Sequence, residues 1–173
     1  MISKGIHSSV VVECHGEAEI PETTIIEPNS VVYTGPRARL QLGEMFTMYP
    51  SSTIRIDQGW LEVGTEVSMG PGSHIYEPRA GMKIGNNVLI AGGCLFSGTN
   101  HGMEPNGIPM RKQPFSAKPI IIEDDVWIGM NCTILPGVTI GKGCVVGAGS
   151  LVTRDLPPNM VCLGAPCRPV KPR

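Results

Sequence analysis

The sequence predicts an all-β solenoid of short stacked strands with one protruding loop. Three observations carry that prediction. From Ile122 the chain reads as successive hexads, IEDDVW, IGMNCT, ILPGVT, IGKGCV, VGAGSL and VTRDLP. The same spacing recurs upstream in looser form. Glycine is abundant at 22 residues while aromatic rings make up only 5% of the chain, which suits a narrow core with no room for rings.

Within each hexad the first residue is aliphatic: Ile122, Ile128, Ile134, Ile140, Val146 and Val152. The fifth is small or β-branched through Val126, Cys132, Val138, Cys144 and Ser150, with Leu156 closing the run. A helix repeats its apolar face every three or four residues and a strand every two, so a period of six fits neither. It fits a coil of three short strands per turn. The aliphatic residue points inward, the fifth fills a corner, and Gly or Asn at the bend adopts backbone angles that a Cβ resists. Coils then stack about 4.8 Å apart, each stable only against its neighbours. The hexad form resembles the left-handed parallel β-helix.

Upstream, Ile84, Ile90 and Phe96 keep the register, and the phase breaks over His101 to Lys118 before resuming at Ile122. Earlier still, Ile20, Ile26 and Val32 form one triplet, Leu42, Met48 and Ile54 a second, and Val63, Met69 and Ile75 a third. Slips near Pro36, Trp60 and Gly81 read as bulges or insertions at corners. The sequence therefore predicts one domain over 1–166, a protruding loop at about 102–118, and a Pro-rich tail over 167–173.

Composition limits the function. A formal net charge of −1 argues against an electrostatic grip on nucleic acid, which needs a basic face. No apolar run approaches the roughly 18 residues of a membrane span. The start MISKGIHSS lacks a signal-peptide apolar segment, so a cytoplasmic setting is expected. Cys94, Cys132 and Cys144 sit at fifth positions and read as buried thiols acting as small hydrophobes. Cys14, Cys162 and Cys167 show no metal-ligand spacing, and a reduced compartment follows.

The stretch from Gly98 to Arg168 carries further motifs. A His precedes a loop, followed by Lys118-Pro119-Ile120, Asp125-Val126-Trp127-Ile128-Gly129, the run from Ile134 to Gly141, the run from Gly147 to Asp155, and a late Gly164-Ala165-Pro166. Over this half the chain resembles the hexapeptide-repeat acetyltransferases, the group of maltose and galactoside, streptogramin and polysaccharide O-acetyltransferases. The resemblance implies an acetyl-CoA-dependent O-acetyltransferase acting on a sugar, with no metal, and a homotrimer with sites between subunits. It also implies roles for particular residues. His101, where the coil gives way to the loop, is the catalytic base; histidine suits the task because it titrates near neutral pH. Transfer to the acceptor hydroxyl is then direct, with a backbone amide meeting the oxyanion. Trp127, Met130, Ala148, Thr153, Arg154 and Arg168 are implied to contact coenzyme A. Arginine suits its phosphates through a planar fork of donors. Glu77 and Asn100 are implied beside the acceptor, Glu77 either orienting His101 or binding a sugar hydroxyl. Where the sugar acetyltransferases hold the acceptor with an Asn, this chain has Gly70.

Other readings share the coil. Amino-sugar N-acetyltransferases and antibiotic acetyltransferases use the same base and co-substrate with another acceptor. A γ-type carbonic anhydrase needs three histidines around zinc, with two close together; the four here, His7, His15, His74 and His101, include no such pair. A non-catalytic scaffold would use the repeats and leave His101 and the loop idle. Arg37, Arg39 and Arg55 of the earlier coils read as a solvated face.

Overall fold

A computed structural model describes residues 5–173; residues 1–4 of the predicted domain lie outside the described residues. Strands and corners account for nearly all of it, with one short 3-10 turn at Met110–Lys112. The chain winds as a left-handed parallel β-helix of about seven turns. Each turn presents three faces. The first face stacks Ile26, Met48, Met69, Ile90, Ile128, Val146 and Cys162 as its inward row. The second stacks Val32, Ile54, Ile75, Phe96, Ile134 and Val152. The third stacks Leu42, Val63, Ile84, Ile122, Ile140 and Leu156. These residues are buried, and each full burial of such a side chain contributes roughly 1.5–3 kcal/mol. The triplets predicted from spacing are the inner rows, one residue per face.

The slips in phase share a single cause. From the third face to the first, and from the first to the second, the spacing of inward residues stays at six throughout. Only the corner between the second and third faces varies. Val32 to Leu42 takes ten residues, Ile54 to Val63 nine, Ile75 to Ile84 nine and Phe96 to Ile122 twenty-six, before Ile134 to Ile140 takes six. Strands Val31–Gln41 and Thr53–Val63 absorb the surplus by running round this corner, and their ladder shifts register between Thr34 and Arg37. At Gly81, whose φ is +101°, the Trp60 indole occupies the space a Cβ would need. The protruding loop is the largest insertion at the same corner.

The other corners are regular. From Asn29 onward the residue before each fifth position at these corners adopts positive φ, as at Asn131 (φ 56°) and Gly149 (φ 71°), where Asn and Gly bear that conformation best. Behind them runs a buried column that is polar rather than greasy: Ser30, Ser52, Ser73, Cys94, Cys132 and Ser150. Each of the first five donates to a backbone carbonyl of the following turn. Ser30 Oγ reaches Tyr49 O at 3.2 Å, Ser52 Oγ reaches Gly70 O at 3.1 Å and Ser73 Oγ reaches Ala91 O at 3.0 Å. Cys94 Sγ reaches Gly129 O and Cys132 Sγ reaches Gly147 O, both at 3.2 Å. Size alone does not describe these thiols. Cys144 and Cys162 meet directly, Sγ to Sγ 3.7 Å, and burial together with the Cys162 thiol pushes Cys144 up to about 12.

Cys167–Pro172 folds back as an antiparallel strand on Met160–Gly164. Cys167 is buried in the core, and Arg173 anchors the end through Nη1 to Asp125 Oδ2 at 2.7 Å. Pro169 and Pro172 lie at the outer edge of this hairpin, where no ladder partner requires their missing N–H. Among the described residues no helix is long and apolar enough to cross a membrane.

Candidate active site

The loop is a hairpin rooted on the variable corner. Thr99–Asn100 pairs antiparallel with Ser116–Ala117, so His101 and Phe115 face one another across the neck. Between them the loop has its own small polar core. Gln113, only 6% exposed, donates from Nε2 to Glu104 O at 2.9 Å and Ile108 O at 2.8 Å. Its Oε1 accepts from Glu104 N at 3.0 Å. The loop also carries Pro105, Pro109 and Pro114, yet the side chain that ties it together is Gln113, which no sequence pattern marks.

His101 is exposed, and its ring packs on Phe115 with centroids 4.4 Å apart and planes at 50°. On Phe115 also lies the Arg79 guanidinium, 4.4 Å from the ring centroid. Arg79 Nε in turn donates to Glu77 Oε2 at 3.2 Å. Arg55 Nε stands 3.9 Å from Glu77 Oε1, while its Nη2 donates to Asp57 Oδ1 at 3.0 Å and its guanidinium stacks 4.4 Å over Tyr33. A carboxylate thus sits between two arginines, each lying on an aromatic ring.

Glu77 is the unusual member. It is 5% exposed, adopts φ +50° although it is neither Gly nor Asn, and its Oε1 lacks a hydrogen bond. Such a backbone angle costs about 1–3 kcal/mol and persists only where the surroundings impose it. Burial, then the neighbouring Asp57 carboxylate, raises its pKa above the ordinary value, against the lowering pull of Arg79. It is therefore not a solvated corner residue. Nor does it bond His101: it reaches that ring only through Arg79 and Phe115.

Asn100 is exposed at the hairpin neck beside His101. The residues expected at coenzyme A are spread around the later turns. Trp127, 52% exposed, projects from the first face between Leu89 and Val145. Met130 and Ala148 come together on adjoining turns at the next corner, where Gly149 N donates to Met130 O at 2.7 Å. Thr153 and Arg154 are exposed just beyond Leu151–Val152, on the corner that carries the loop two turns earlier. Arg168 stands apart on the closing hairpin, opposite Leu163, with Nη1 bonded to Cys167 O at 2.7 Å. On the first face, Gly70, Ala91, Gly129 and Gly147 follow one another as a track almost bare of side chains. A Cβ at Gly70 would lie 2.6 Å from Ala91 C, so the position holds no acceptor-binding side chain. Among the described residues no three His, Cys, Asp or Glu side chains stand together as metal ligands.

Known proteins share both pattern and shape. The profile of bacterial transferase hexapeptide (six repeats) matches residues 119–154. The crystal structure of a hexapeptide-repeat containing-acetyltransferase from Vibrio cholerae superposes with a TM-score of 0.67 at 32% identity, over 76% of this chain and 73% of that one. The chain belongs to the hexapeptide-repeat acetyltransferases. A maltose O-acetyltransferase from Clostridium difficile matches similarly, with a TM-score of 0.68 and 32% identity over 76% of this chain and 68% of that one. The Vibrio cholerae acetyltransferase complexed with acetyl coenzyme A aligns at 30% identity and TM-score 0.57, over 82% and 70% of the two chains. By sequence, the galactoside O-acetyltransferase of Escherichia coli is 48% identical over 89 residues, 51% of this chain and 42% of that protein. The chain spans less than half the length of the curated relatives it matches.

Proposed function

We propose that the chain is an acetyl-CoA-dependent O-acetyltransferase that acetylates a sugar hydroxyl, with His101 as general base. The observation that supports this most is the setting of His101: an exposed imidazole at the neck of an ordered hairpin, backed by an aromatic ring, on the corner that gathers the inserted residues. Acetyl-CoA supplies an activated acetyl thioester. His101 accepts the acceptor's hydroxyl proton as that oxygen attacks the thioester carbonyl; the C–S bond breaks, and His101 returns the proton to the leaving sulfur. The products are an acetyl ester and free coenzyme A, with no acyl-enzyme. Such proton transfer contributes typically 10²–10⁴-fold to rate.

The surface of the later turns suits a long, thin co-substrate. The bare track over Gly129 and Gly147, bordered by Trp127 and Met130, gives an extended arm room to lie against backbone, with Ala148 on the rim. Thr153, Arg154 and Arg168 are assigned to its phosphate end. Asn100, and Glu77 through its neighbours, belong to the acceptor side. Trp127, Leu89 and Ile25 leave the first face apolar and exposed in the single chain, which supports a homotrimer that covers it. A cytoplasmic location fits the co-substrate.

Calorimetry with acetyl-CoA on the native chain and on His101→Ala, followed by thiol release against a panel of sugars, nucleotide-linked sugars and amino sugars, tests the reading. Binding by both proteins, with sugar-dependent thiol release lost in the variant, is expected. Release only with amino sugars would replace the hydroxyl acceptor by an amine. Binding by neither protein would leave a scaffold.

A further inference from the structure

The part of the molecule least explained by the proposed reaction is the row of side chains behind His101. Glu77 is buried, charged and held at positive φ, which is an expensive arrangement for a residue that touches neither His101 nor solvent. Its visible consequence is to fix Arg79: Nε donates to Oε2, and the guanidinium plane is left over the Phe115 ring. Phe115 in turn is 46% exposed, so core packing does not hold it. What sets the ring is the cation on it and the imidazole it meets.

The backbone places this row at the loop's root. Gly98 N donates to Tyr76 O at 3.1 Å, and a Cβ at Gly98 would collide with the Glu77 carbonyl oxygen. The strand that delivers His101 therefore lies directly on the Glu77–Pro78 corner. Inside the loop, Gln113 ties the loop to itself, not to the coil. The Arg79–Phe115 stack joins the two.

We propose that Arg79 is a positioning residue for His101, acting through Phe115, with Glu77 setting the guanidinium. Arginine is required because it must offer a flat face to a ring and an N–H to a carboxylate at once, which a lysine ammonium cannot do. The activity readout rests on the acetyltransferase reading above; the structural readout does not.

Two measurements test the inference. First, the His101 ring protons are followed by NMR in the native chain and in Arg79→Met, Phe115→Leu and Phe115→Tyr. The native signals should show the ring-current shift of an aromatic neighbour. Phe115→Leu should abolish it, Phe115→Tyr should retain it, and Arg79→Met should reduce it although residue 115 is unchanged. Second, acetyl transfer should fall about 10- to 100-fold in kcat for Arg79→Met and Phe115→Leu, as expected for a displaced catalytic group, with the KM for acetyl-CoA unchanged and Phe115→Tyr near native. Unaltered His101 signals in Arg79→Met overturn the proposal, whatever the activity. If Arg79→Met does not fold, the Phe115 pair decides: native His101 signals in Phe115→Leu overturn it equally. Coupled signals without any acetyl transfer in the native chain would instead overturn the proposed reaction and leave the positioning intact.

Discussion

The later turns, from Ile122 to Leu156, and the earlier turns, from Ile20 to Phe96, share three faces and two corners and differ at the remaining corner. In the later turns Ile134 and Ile140 are six residues apart and the corner is a bare bend. In the earlier turns nine or ten residues fill the same corner, and they include Arg55, Asp57, Glu77 and Arg79; the next turn inserts the loop with His101. In the regular turns the inward and corner positions are committed to stacking, and only the outward ones are free. The proposed base and the Glu77–Arg79 pair lie where the repeat is broken, among surplus residues that carry neither an inward nor a corner role.

The largest effect expected is at the loop: His101→Ala should lower kcat by about 10²–10⁴-fold with acetyl-CoA affinity unchanged by calorimetry. An equal kcat in the variant would move the chemistry elsewhere. On the regular side, Ile134→Ala removes a fully buried side chain and should cost about 2–5 kcal/mol in chemical denaturation. Any loss of activity should follow the folded fraction. If Ile134→Ala lost activity while fully folded, the division between scaffold and chemistry would fail.

Within the loop, Gln113→Ala leaves backbone groups of Glu104 and Ile108 without their partner, at a local cost of about 1–3 kcal/mol. Limited proteolysis should then cut within 102–118 far faster than in the native chain, while the melting temperature of the coil stays put. Cutting at the native rate would mean that the prolines, not Gln113, order the loop.

Smallest is the pH term from Glu77. Its folded pKa lies above 4.5, so the folded chain binds more protons than the unfolded chain from 4.5 up to that folded value, and stability from this group falls as pH rises through that window. The stability of the native chain relative to Glu77→Gln should therefore decline between pH 4.5 and neutrality. A difference that is constant or grows with pH would show that the arginines, not burial, dominate at this carboxylate.

How much of this is legible from residues alone depends on the range of the interaction. Inward rows follow from spacing because each aliphatic residue answers to its own hexad. The odd spacing near Pro36, Trp60 and Gly81 already marked the variable corner. His101 stood out through its motif and its place before the loop. Partners across turns did not. Cys94 meets Gly129 and Phe115 meets Arg79 only once turn lengths of 16 to 38 residues are known, and insertions hide them. Serine and cysteine satisfy a demand for small volume and a demand for a hydrogen-bond donor alike, so spacing alone does not reveal the bonded column. Gln113 had no periodic position to betray it.

The closing hairpin has a consequence for growth. A stack of coils ends in unpaired edges, and two such ends can join into a fibre. Here the outermost strand of the first face runs against the direction of the coils and carries Pro169 and Pro172, which have no N–H to offer, alongside the charges of Arg168, Lys171 and Arg173. A second copy arriving end-on meets a strand of the wrong polarity with gaps in its ladder, so this sheet edge stops rather than templates polymerisation.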